Sequence, residues 1–143
     1  MLNAIAAALL IAMQSNLPVA TMQTPHATLH LWVAQSELQR ERGLMDRTYL
    51  APTQGMIFVF SRNDERYFWM KDTLMSLDMI FIESDGLVRA VASSVPVLPR
   101  GIALSAIPLV HAQARYVIEL RAGEAQRLGI VAGEHLHVPA LPR

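Results

Sequence analysis

Three short and largely apolar blocks, Met56–Phe60, Leu77–Ile82 and Tyr116–Leu120, constrain this 143-residue chain more than any other feature. Each has the length of a β-strand and is too short for a core helix. Between Leu77–Ile82 and a return strand, Leu87–Val95, stands Glu83-Ser84-Asp85-Gly86, a hairpin turn in which Gly86 supplies a positive φ. Ala27–Val33 alternates instead, with Leu29, Leu31 and Val33 on one side and Thr28, His30 and Trp32 on the other, the period of a half-buried strand. Tyr67-Phe68-Trp69 is expected to fold back on Met56–Phe60 across a polar turn, Ser61–Arg66, and His135–Val138 to form a last short strand. Two short helices complete the pattern. Ser36 and Gln39 make a capping box, with Arg40 and Arg42 in the last turn and Gly43 in the αL position that ends it. Glu124–Leu128 is closed by Gly129. The fold class is mainly β (α+β): a compact, mostly antiparallel sheet, barrel-like or two-layered, with two short helices.

Composition narrows the functional classes. Hydrophobic residues make up 52% and charged residues 17%, enough for a core and against disorder. Twelve basic and twelve acidic side chains cancel, and no basic stripe points to nucleic acid as a partner. The chain has no cysteine, which removes disulfides, thiol nucleophiles and thiolate metal sites. The apolar run Ala4–Met13 has the length of a signal-peptide core, and Pro18-Val19-Ala20 places small residues at a cleavage point after Ala20. Charges interrupt every later apolar run well short of the roughly 20 residues of a transmembrane helix. The expected organisation is a signal peptide over 1–20, a linker over 21–26, one β-rich domain over 27–139 and a tail over 140–143, in a periplasmic or secreted protein.

An ordered series of motifs carries a family resemblance. Glu41-Arg42-Gly43-Leu44-Met45 with Arg47, Gly55–Phe60, Phe68-Trp69-Met70-Lys71-Asp72-Thr73, and Leu77–Ile82 with Asp85-Gly86 are similar to successive blocks of domain-of-unknown-function family 192. Tyr116–Leu120, Gly123, Leu128-Gly129-Ile130 and Gly133-Glu134 match its closing blocks, so the resemblance runs from about Leu29 to Val138. It implies a small β-rich domain, often behind a signal peptide, with no established activity. Two positions depart from the family: its usual Asn is Asp72 here, and Val97 stands where many members carry Cys.

The charged residues embedded in these blocks are the candidate site. Asp78 shares a strand face with Ile80 and Ile82, and a buried carboxylate needs a partner because its desolvation costs several kcal/mol. Lys71, Arg42 and Arg47 are the cations available. Together with Trp69 and Asp72 they form either a structural ion pair that pins the hairpin or a site for a small polar ligand. Asp78 with Lys71 is the weaker, catalytic alternative, a hydrolase pair. The apolar segment 96–110, with Pro96, Pro99 and Pro108, is too long and too apolar for an ordinary loop: it is a lid over the site, a docking surface for a protein partner, or packing across one open end of the barrel. His135 and His137, with His30, have the spacing of a weak metal site, but surface histidines explain them as well. Met45, Met56, Met70, Met75 and Met79 are read as core filler before copper ligands. No cofactor is implied.

Overall fold

The structure, a computed structural model, describes residues 16–142, so the run Ala4–Met13 lies outside the described residues. Six strands form one sheet: β1 (Val19–Gln23), β2 (Thr28–Ala34), β3 (Gln54–Phe68), β4 (Leu77–Ile82), β5 (Val88–Val95) and β6 (Val110–Arg121). Their spatial order is β1-β2-β3-β6-β4-β5. All neighbours are antiparallel except β2 and β3, which run parallel. That pair is joined through helix α1 (Glu37–Arg42), because parallel neighbours need a crossover rather than a tight turn. A second helix, α2 (Glu124–Arg127), follows β6.

The sheet is open, not barrel-like. β1 and β5 are its two edges, and β5 leaves regular pairing through register shifts against β4 and a positive φ of 51° at Ser94. Each face carries its own core. Leu29, Leu31, Val33, Ile57, Ile80, Ile118 and Leu120 pack on one face beneath Ala125 of α2 and Leu128, which caps it. Met56, Phe58, Met79, Phe81 and Val117 pack on the other beneath Leu44, Leu50 and Met70. Strand β4 is buried at all six positions, as a central strand covered on both sides must be.

Alternation in β2 follows the sequence expectation, with Leu29, Leu31 and Val33 wholly buried. So does the capping box: the Ser36 side chain accepts from the Gln39 amide, while the Gln39 side chain accepts from the Ser36 amide. Gly43 ends α1 with a positive φ of 48° but a ψ of −132°, outside the αL region.

Three expectations are corrected. Ser61–Arg66 is not a turn, and Tyr67-Phe68 does not fold back. β3 is continuous because β6, at 12 residues, offers partners to both of its halves, and the exposed polar residues sit at an irregularity between them. His135–Val138 is not a strand. It makes one bridge, Leu87↔His135, and Pro139 and Pro142 lack the amides to extend it. The segment read as a linker from residue 21 begins inside β1, since Ala20 and Met22 reach the core and give that edge strand a buried side.

Candidate functional site

Of the six sequence-derived site residues, five lie on the face that holds Met56, Phe58 and Met79, and four of them line its two spaces. Lys71 Nζ lies 5.4 Å from the centre of the Trp69 ring, which is 41% exposed. Both residues line a narrow cleft of about 30 Å³ with Arg42, Thr73 and Glu119. Lys71 and Thr73 also line a larger cavity, about 440 Å³, together with Asp72. The opposite wall of that cavity is the Pro-rich loop, through Val97, Leu98, Arg100, Ile102, Leu104 and Ile107. Asp72 holds a left-handed φ of 53° at the bend, and its carbonyl accepts from the Asp46 amide at 2.9 Å.

The arginines play different parts. Arg42 Nη2 is 3.1 Å from Asp46 Oδ2, while its Nε is buried with no hydrogen-bond partner. Arg47 lines neither space. Its guanidinium lies 4.0 Å from the centre of the Trp32 ring, and its Nε is likewise buried and without a partner. Burial, then the charge of Arg42, lowers the Arg47 pKa.

Asp78 is not part of this group. It is buried on the other face of β4, and its partners are backbone amides, not Lys71, Arg42 or Arg47. Oδ1 accepts from the Ser94 N–H at 2.8 Å and Oδ2 from the Ala125 N–H at 2.9 Å. The carboxylate thus stabilises the β5 irregularity and the first turn of α2. The Asp78–Lys71 hydrolase pair is not assembled.

The acid that does face the site is Glu119. In β6 it stands opposite Met56 of β3 and Met79 of β4, at 5% exposure, and no hydrogen bond or ion pair to its carboxyl is found among the described residues. Burial pushes its pKa up from 4.5 to about 8, so the carboxyl is mostly protonated at neutral pH. Gly55 permits the close approach of β3 and β6 beside it: a Cβ there would lie 2.3 Å from the Glu119 carbonyl oxygen. The sequence signal was the one that marked Asp78, a lone acid in an apolar strand, here at the opposite parity.

The model of the DUF192 family, described as an uncharacterised ACR, matches residues 19–138. The chain belongs to the DUF192 family. A Sinorhizobium meliloti 1021 protein described as a "putative transcription regulator" is similar in structure, with a TM-score of 0.69 and 33% identity over 83% of this chain and 90% of that one. A protein of unknown function from Novosphingobium aromaticivorans DSM 12444 gives a TM-score of 0.70 and 27% identity over 85% of each chain. No curated protein matches it.

Asp72 occupies a left-handed position that Asn and Asp tolerate better than most residues, and it lines the cavity wall. Val97 lines the same cavity. The histidines of this DUF192 domain stay apart from it. His135 and His137 are exposed on either side of buried Leu136, and His135 Nε2 lies 3.9 Å from Asp85 Oδ2. His30 is exposed on β2. No group of three or more His, Cys, Asp or Glu able to hold a metal occurs among the described residues. Met56, Met70 and Met79 are core residues, with Met75 packed against them.

Proposed function

We propose that this domain is an exported module that binds a small organic anion with an apolar portion, in the cavity between residues 70–74 and the Pro-rich loop. The cavity itself carries the reading: about 440 Å³, with Lys71 and Arg100 at its wall and Val97, Leu98, Ile102, Leu104 and Ile107 providing apolar surface. Ligand sites of this kind are mostly apolar concavities with a few placed polar groups, commonly ~300–1,000 Å³. The cations select a carboxylate end and the loop covers the rest of the molecule. Titrating octanoate into the full chain, followed by amide NMR shifts, should give saturable changes at Lys71, Asp72 and Ile102. Octanol should bind more weakly, and the double variant Lys71→Ala/Arg100→Ala should lose at least about tenfold in affinity. Changes that never saturate, or that octanol reproduces in full, would end this reading.

Export is part of the same proposal. Processing at or before Pro18 leaves β1 whole, whereas cleavage after Ala20 would remove Val19 and the core-facing Ala20 from pairing with Trp32 and Leu31. The mature N-terminus, read by mass spectrometry, checks it. A chain that keeps Met1 and remains in the cytoplasm would count against export.

The second reading is docking of a protein partner through the loop. Leu74, Val97, Leu104 and Leu109 are between 44% and 65% exposed, more apolar surface than a solvated loop needs. Leu109→Ser, outside the cavity lining, should weaken co-purification of such a partner while leaving octanoate binding unchanged.

A further inference from the structure

A second concavity lies elsewhere, at the irregular part of β3, and shares no lining residue with the cavity under the loop. Pairing jumps from Val59↔Tyr116 to Asp64↔Ala114, so residues 60–63 stand opposite Arg115 alone. Excess residues of this kind bend a strand and re-aim its side chains. The result is a space of about 530 Å³ lined by Arg40 from α1, Phe60, Ser61 and Arg66 from β3, Arg115 from β6, and Gln35.

We propose that Arg40, Arg66 and Arg115 form a binding site for the phosphoryl group of a small phosphorylated molecule. No carboxylate lines the space. None of the three arginines forms an ion pair among the described residues. The acids beside them are engaged elsewhere: Asp64 pairs with Arg62 at 3.4 Å, and Glu65 with His111 at 2.6 Å. Each guanidinium is instead steadied by main-chain carbonyls. Arg40 Nη1 donates to Val59 O at 3.1 Å and to Gln35 O, Arg66 Nη2 to Arg62 O at 2.8 Å and its Nε to Ala114 O at 3.3 Å, and Arg115 Nε to Phe60 O at 3.4 Å. With five N–H donors on a guanidinium, each keeps several for a ligand.

Arg40 and Arg66 also rest on one ring, 5.0 and 4.1 Å from the Phe60 centroid, which fixes their planes before any anion arrives. Holding like charges this close is unfavourable unless something offsets it. The Arg66 pKa is lowered by burial first and then, against the pull of Asp64, by Arg40 and Arg62. An anion relieves that repulsion, and planar forks of N–H groups match phosphoryl oxygens better than a single-charge contact does. The space exceeds what inorganic phosphate fills, leaving room for the molecule that carries it.

The test is a titration of the full chain with pyrophosphate at constant ionic strength, observed at the arginine Nε–Hε resonances and by calorimetry. Saturable shifts at Arg40, Arg66 and Arg115 are expected, with pyrophosphate binding more tightly than phosphate. Arg115→Gln and Arg66→Gln should each weaken binding about tenfold or more. The wild-type titration stands even if a variant fails to fold. Absence of saturation, or equal shifts with chloride, overturns the proposal. So does a duplex oligonucleotide that displaces pyrophosphate and binds more tightly, since the site would then serve a nucleic-acid backbone.

Discussion

The two faces of the sheet treat their buried acids in opposite ways. On the face covered by α2, Asp78 accepts two backbone amides and Glu124 accepts from Arg121, Arg127 and the Thr53 amide. On the face covered by Met70 and Leu44, Glu119 is buried with no such donors, and Arg42 and Arg47 each keep a buried Nε without a partner. A buried charge with its hydrogen bonds complete is scaffold, because its environment leaves nothing for a ligand to supply. A buried polar group left incomplete lowers stability, and proteins keep such groups where function uses them. The difference separates the half with its buried polar groups satisfied from the half that holds the proposed site.

The largest effect should come from breaking the scaffold. Glu124→Ala removes a carboxylate that is 2% exposed and strands the Thr53 amide; a loss of about 3–4 kcal/mol in urea unfolding is expected. The hydrogen bonds from Arg127, ahead of the Thr53 amide and nearby charges, hold Glu124 at about 2, below its ordinary 4.5. Its stabilisation is therefore complete above pH 4.5 and is lost as pH falls towards 2. Asp78→Asn comes next, at about 2–3 kcal/mol, because an amide can present an acceptor to only one of the two N–H groups. A neutral result there would dissolve the contrast between the faces.

Glu119→Gln should do the reverse. A carboxyl raised to about 8 binds a proton in the folded state that the unfolded state releases above about 4.5, so wild-type stability falls between those pH values. The variant should flatten that slope and be more stable than wild type by about 1–3 kcal/mol at pH 9, with little difference at pH 4. Equal stability curves would show that Glu119 is paired after all. Smallest of all, Lys71→Ala should stay within about 0.5 kcal/mol of wild type, and its effect should appear only in octanoate affinity.

Much of the scaffold was legible in the chain, because local rules govern it. The alternation of β2, the capping box at Ser36 and the hairpin at Gly86 each depend on residues within a few positions of one another. Where a distant partner decides, local reading fails. Ser61–Arg66 reads as a turn because nothing nearby reveals that β6 is long enough to pair with both halves of β3. The apolar neighbours of Asp78 mark it as a buried acid, yet its partners, the Ser94 and Ala125 amides, are main-chain groups that no residue identity announces. The arginine cluster escaped for a related reason: residues 40, 66 and 115 meet only through the fold, and a balanced net charge hides them.

The position of β6 has a consequence for how the protein is made. The last strand in sequence lies in the middle of the sheet, between β3 and β4, and both cores close upon it. A nascent chain that has emerged only as far as the Pro-rich loop holds two half-sheets with no strand to join them. The contacts that unite them span long stretches of sequence, which slows folding. Neither core can close until that C-terminal segment arrives, so the two half-sheets depend on the same late strand.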